Sequence, residues 1–430
     1  MKLLPLAAAW LLLLAGCVSD RAADDSLDEI AADYVQMTLE IGEREPGYVD
    51  AYYGPAEWQD AAKAAPRSLA DLATEAVTLT SRVNAVPAPG LGPLEQRRRA
   101  FLLAQLKAAH TRLRMLRGEK LSFQDEAEGL FGVRPELKPL ASYDPVLARI
   151  EQLAPGSGPL WQRVDAFQER FTIPKERLKP VFDAAIAECK RRTAANIALP
   201  EGETFTMEFV TGKSWSGYNW YKGKLTSLIQ INTDLPIRIS RAVDLGCHEG
   251  YPGHHALNML LERRLMRERG WVEYSVYPLY SPQSLIAEGS ANYGIDLAFP
   301  GEERLRYETQ ALYPLAGLPA RDAGRYLGLL EAMKDLAGAR FTIAADYLEG
   351  RIDRAEAVEL TQKYQLVSKK RAEQSMDFVD QYRSYVINYG LGQDMVRAHV
   401  EAAGPTPKAR WGAMERVISE PTLPSDLRGQ

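Results

Sequence analysis

A mainly α, multi-helical chain with a small antiparallel β-sheet beside its functional helix is the fold the sequence predicts. Three observations carry that expectation. Apolar residues recur at helical spacing from Leu27 to about Ile197, with Leu102, Leu103, Leu106, His110, Leu113 and Leu116 the clearest stripe. A short stretch from Thr204 to Asn232 alternates instead, as half-buried strands do. Helical periodicity then resumes near Pro236 and runs with interruptions to about Val417. The 430 residues are 46% hydrophobic and 25% charged, which is globular usage and excludes a disordered or multi-pass membrane chain. A net charge of −5 with no basic block excludes nucleic acid as the expected partner.

Lys2 precedes fourteen almost wholly apolar residues, Leu3 to Gly16. As a helix these reach about 21 Å, short of a ~30 Å hydrocarbon core, so residues 1–16 read as a signal peptide. Leu14-Ala15-Gly16-Cys17 resembles a bacterial lipobox. That resemblance implies lipidation at Cys17 and a membrane anchor, with residues 17–26 as tether. Val18, in place of an aspartate, favours the outer membrane, with the domain expected to face the periplasm. Cys189 and Cys247 then remain, and could pair in an oxidising compartment.

The mature chain divides into an expected N-terminal helical lobe, 27–200, and a second lobe, 201–430. Gly47, Pro55, Pro66, the Pro87–Pro93 segment, Pro155–Pro159 and Pro174 punctuate the first into separate helices. In the second, Phe205–Val210 and Thr226–Asn232 read as strands flanking an aromatic, glycine-rich segment, Trp215–Gly223. Thr233 or Asp234 is the expected cap of the next helix, with Pro236 in its first turn. Ser281-Pro282 reads as another helix start. The run Tyr382–Gln393 reads as a tyrosine-rich helix ending in glycines.

Chemistry concentrates at Cys247-His248-Glu249-Gly250-Tyr251-Pro252-Gly253-His254-His255, which holds three of the five histidines. Two imidazoles four residues apart on a helix lie about 6 Å apart on nearly one face and converge on a metal, and a glutamate beside the first can take a proton from an attacking water. Here the spacing is six or seven residues. Six places the rings on faces ~120° apart in an unbroken helix, and seven places them about 10.5 Å apart along it. Pro252 offers a remedy, since it lacks the N–H that would bond the His248 carbonyl, and Gly253 tolerates unusual dihedrals. A local bulge or kink is therefore expected, with His248 and His254 as metal ligands and His255 behind them or facing substrate. His255 in place of His254 is the variant. Glu288, two turns into the helix after Ser281, is the expected third ligand, in the gluzincin manner, and Asn292 one turn on could orient a ligand.

These residues reach a family resemblance. His-Glu-x-x-Pro-Gly-His-His, followed by Glu288-Gly-Ser-Ala-Asn-Tyr293, resembles the bacterial domain-of-unknown-function family 885, and so does Tyr48-Val-Asp-Ala-Tyr-Tyr-Gly-Pro55. Ser290 departs from its usual tryptophan and Ile295 from a second glutamate. The resemblance implies a gluzincin-like helical fold, bound Zn²⁺ on His248, His254 (or His255) and Glu288, and Glu249 as general base. It implies a zinc-dependent metallopeptidase of short peptides, with Thr226–Asn232 as an edge strand that pairs with substrate. Tyr385 or Tyr389 is the expected oxyanion donor, and Arg383, His255 and Tyr293 are expected to touch substrate. Two alternatives stay open: a catalytically inactive peptide- or cell-wall-fragment-binding lipoprotein, and a zinc hydrolase of a non-peptide amide or ester.

Overall fold

The computed structural model describes residues 26–428. The lipobox and Cys17 lie outside the described residues. The first helices are α1 (Leu27–Arg44), α2 (Ala56–Ala64), α3 (Leu69–Ala85), α4 (Pro93–Leu116), α5 (Phe123–Phe131), α6 (Asp144–Leu153), α7 (Leu160–Glu169) and α8 (Leu178–Ala194). Their ends fall where proline and glycine punctuate the sequence. Ser26 and Glu29 close a reciprocal capping box on α1, and Ser68 and Ser122 cap α3 and α5. Helix α1 packs on α3, and α3 on α4. Ile30, Val35 and Ile41 of α1 are fully buried, each contributing about 1.5–3 kcal/mol.

One segment of this region is not helical. Strand β1 (Val49–Tyr52) pairs antiparallel with β5 (Val276–Pro278), joining the start of the chain to the segment before Glu288. Four extended residues between helices leave too short an alternation to register against the helical periodicity around them.

Strands β2 (Thr204–Val210), β3 (Gly217–Gly223) and β4 (Thr226–Asn232) form the second sheet, in the order β2-β4-β3. The expected antiparallel sheet is in fact mixed: β3 is antiparallel to β4, but β2 is parallel to it. The turn Lys224-Leu225 is tight, both residues at positive φ, and Glu262 accepts both their amides. The longer connection 211–216 lets β2 reach the far side of β4. This makes β4 the central strand, so the expected substrate-pairing edge at Thr226–Asn232 is absent.

The remaining helices are α9 (Ser240–Leu245), α10 (His254–Leu261), α11 (Pro282–Ala298), α12 (Glu303–Tyr307), α13 (Tyr313–Ala316), α14 (Ala323–Lys334), α15 (Ala337–Leu348), α16 (Arg354–Gln365), α17 (Lys369–Tyr382), α18 (Ile387–Ala402), α19 (Pro407–Val417) and α20 (Pro424–Leu427). Helix α9 starts later than Pro236 because Ile237 and Ile239 pair through their backbones with Ile173 and Phe171. Gly390 and Gly392 do not end a helix either; they lie inside α18, where Gly392 rests against Gly289 of α11. Buried apolar side chains from Leu27 to Leu427 join one core cluster. Cys189 and Cys247 form a disulfide with Cα atoms 5.4 Å apart, tying α8 to the turn that carries His248. Closing 58 residues contributes about 4 kcal/mol on the chain-entropy account. Among the described residues no helix is long and apolar enough to cross a membrane.

Candidate metal centre

After α9 the backbone widens into one π turn, Gly246–Gly250, and then breaks; α10 starts at His254. The break is where Pro252 stands, as its missing N–H requires. Gly253 donates its amide to the Cys247 carbonyl at 3.1 Å. A Cβ there would lie 1.8 Å from the His248 carbonyl oxygen, so only glycine permits this close a return. The expected bulge is thus a full interruption. It swings the first residue of α10 back over the π turn and brings His254 beside His248.

Three donor atoms converge as a result. The Nε2 atoms of His248 and His254 are 3.1 Å apart. Oε2 of Glu288, from α11, lies 3.2 Å from the first and 3.7 Å from the second. Bonds of 2.0–2.1 Å at a tetrahedral angle put ligand atoms about 3.3 Å apart, which is the spacing found. Oε2 of Glu288 is buried and makes no hydrogen bond. His248 is held in position by Asn292, whose Oδ1 lies 3.1 Å from its Nδ1. With Nδ1 carrying the proton, the Nε2 lone pair faces the shared point. Asn292 is itself anchored through its amide to the Tyr389 carbonyl at 3.3 Å.

The charges around this point are unbalanced. Burial opposes ionisation of Glu288, but the two imidazoles outweigh it and hold the carboxyl well below the ordinary range. Burial would lower His254, yet Glu288, Glu249 and Asp50 together raise it to about 9. Three carboxylates therefore draw positive charge to one spot. Two imidazole nitrogens, a carboxylate oxygen without a hydrogen bond and this surplus of negative charge fit a divalent metal ion.

Glu249 follows His248 on the π turn and is buried, with Oε2 making no hydrogen bond. Burial raises its carboxyl above the ordinary value, against the pull of His248 and His254. Asn219 of β3 fixes it by donating to the Glu249 carbonyl at 2.7 Å. A cleft of ≈ 560 Å³ opens onto His248, Glu249, His254 and Glu288.

The tyrosines divide. Tyr385 donates to Oε1 of Glu288 at 2.9 Å, which occupies its hydroxyl with the carboxylate. Tyr389 lines the cleft, and its hydroxyl makes no hydrogen bond among the described residues. Three expected substrate contacts are corrected. Arg383 lies outside the cleft lining and pairs with Glu126 at 2.8 Å. Tyr293 is buried on the far side of α11 and its hydroxyl points to Glu401. His255 is fully buried, with Ser227 Oγ at 2.8 Å from Nδ1 and Glu203 Oε2 at 2.9 Å from Nε2. That chain has the order of a nucleophilic triad, but Ser227 and His255 are buried and do not line the cleft, and the chain braces α10 against the sheet. With both ring nitrogens engaged there, His255 stands apart from the group that His248, His254 and Glu288 form.

Two cleft residues escape sequence reasoning. Asp50 of β1 accepts a hydrogen bond from the Tyr218 hydroxyl of β3. Burial pushes its carboxyl up to about 6 even so. Asp50 sits inside Tyr48–Pro55, a segment legible only through the family resemblance. Arg340, on α15, carries no local motif at all.

No protein-family model and no curated protein matches the chain, so the resemblance to family 885 rests on the motif residues alone. Solved structures do match. A protein of Colwellia psychrerythraea described as a lipoprotein aligns at a TM-score of 0.51 and 16% identity, over 82% of this chain and 69% of that one. An M32 carboxypeptidase from Deinococcus radiodurans aligns at a TM-score of 0.39 and 14% identity, over 91% and 88%. The first is a likeness of fold alone, and the second is too slight to build on.

Proposed function

We propose that this chain is a zinc-dependent hydrolase, a metallopeptidase acting on short peptides. The observation that carries the reading is the meeting of His248, His254 and Glu288 at tetrahedral spacing beside the buried, unpartnered carboxylate of Glu249. Zn²⁺ held by His248, His254 and Glu288 would supply a Lewis acid and an activated water at neutral pH. Glu249 is placed to take a proton from an attacking water and to deliver it to the leaving amine. Burial raises its carboxyl above the ordinary value, which makes it a stronger base. Tyr385 fixes Glu288, while Tyr389 has a hydroxyl at liberty to donate to the developing oxyanion. The cleft volume suits a peptide of a few residues.

A lipoprotein that only binds fragments has no use for a desolvated carboxylate beside the metal, and nothing in the cleft favours a non-peptide ester. Incubation of the zinc-loaded protein with a mixed library of short peptides, read by mass spectrometry, tests the reading. Cleavage that stops on chelation and returns with zinc supports it, and an untouched library contradicts it.

A further inference from the structure

Five cationic side chains line the cleft: Arg241, Arg304, Lys334, Arg340 and Arg371. Three face carboxylates. Arg304 lies 2.8 Å from both Asp244 and Glu308, Lys334 lies 3.0 Å from Asp296, and Arg241 lies 3.5 Å from Asp244. Arg371 donates to the Pro236 carbonyl at 3.0 Å. Arg340 differs from all of them: its guanidinium makes no ion pair and no hydrogen bond among the described residues, and its Nε is fully buried without a partner. It lies over two rings instead, with Cζ 5.2 Å from the Phe378 centroid and 5.9 Å from that of Tyr389. Ring faces compensate a desolvated cation only in part. An unpaired guanidinium whose Nε is cut off from water favours an anion in the cleft that it lines.

The rings also fix where Arg340 stands. Tyr389 packs against Tyr385 with centroids 6.0 Å apart, and the Tyr385 hydroxyl holds Glu288. A continuous aromatic wall thus runs from the guanidinium to the metal ligands. The planar fork of arginine matches a carboxylate in two parallel hydrogen bonds. A short peptide brings one carboxylate whatever its sequence, the one at its C-terminus.

We infer that Arg340 is the binding group for the C-terminal carboxylate of a peptide substrate, which makes the chain an exopeptidase that trims from the C-terminus. This rests on the metallopeptidase reading above and goes further, since it names the end of the substrate that is recognised. The wall from Arg340 to Glu288 spans two rings, and extended chain advances 3.3–3.6 Å per residue, so the released piece is about one to three residues.

The test compares N-acetylated tetrapeptides and pentapeptides as free acids and as C-terminal amides. Cleavage is followed on the zinc-loaded protein, and binding on Glu249→Gln. The acid form is expected to bind and react about 10- to 100-fold better than the amide. Arg340→Ala should bring the acid-to-amide ratio close to one, and Arg340→Lys should recover part of it. Product masses should show release of the C-terminal piece. Equal rates for acid and amide, with both stopped in Glu249→Gln, would overturn the carboxylate site and leave the peptidase reading standing. A preference that follows acidic side chains rather than the free terminus would also overturn it. Neither cleavage nor binding of any peptide would overturn both. If Arg340→Ala fails to fold, the acid-against-amide comparison on the unmodified protein decides alone.

Discussion

The Nε2 atoms of His248 and His254 stand 3.1 Å apart although they are six positions apart in sequence and the end of a helical segment separates them. An unbroken helix would turn these side chains to different faces. The π turn, the break at Pro252 and the close return at Gly253 convert an unfavourable spacing into a converging pair.

Glu249→Gln keeps the size of the side chain and removes its basicity. Turnover is expected to fall by about 10²–10⁴-fold, with bound metal unchanged by elemental analysis. Full activity in this variant would remove Glu249 from proton transfer.

Asn292 acts on the metal through His248. Asn292→Ala frees the imidazole to rotate or change tautomer, and metal affinity should weaken about 10- to 100-fold. A competition titration with a chromogenic chelator reads this directly. An unchanged affinity would mean that packing alone orients the ring.

Helices α11 and α18 meet backbone to backbone. A Cβ on Gly289 would lie 2.4 Å from the Gly392 carbonyl oxygen, with only main chain to displace. Gly289→Ala is expected to cost about 1–3 kcal/mol and to push Glu288 off its position, lowering metal affinity as well. A urea midpoint equal to the parent's would show that the pair can separate freely.

The Glu203 cluster sets an acid limit on stability. Burial opposes ionisation there, but His255, Lys190 and Tyr251 outweigh it and hold the carboxyl at about 2, against an ordinary 4.5. A folded-state pKa below the unfolded one gives stability that is complete above about pH 4.5 and is lost as the pH falls towards 2. Glu203→Gln should therefore be less stable at neutral pH, by on the order of 2–3 kcal/mol, and should converge with the parent near pH 2. Urea midpoints between pH 2 and 7, with chelator throughout, check this; parallel curves would contradict it.

Much of this was legible in the residues. Helical periodicity and proline punctuation locate most of the helices, and the paired spacing at His248–His255 with Glu288 downstream foretells which side chains meet. What escaped is of three kinds. Strand β1 is four residues long, too short for alternation to stand out, and it brings Asp50 to the cleft. The parallel placement of β2 depends on a connection whose path leaves no local signature. Long-range ion pairing decided the third kind. Arg383 looked like a substrate ligand until Glu126, 257 residues away in sequence, claimed it, while Arg340 gained importance from having no such partner.

His248, His254 and Glu288 are proposed to hold one metal ion. Elemental analysis of the purified protein, beside His248→Ala, checks this. About one zinc per chain is expected in the parent and none retained in the variant. A parent that neither carries zinc nor takes it up, or a variant with undiminished zinc, would contradict it.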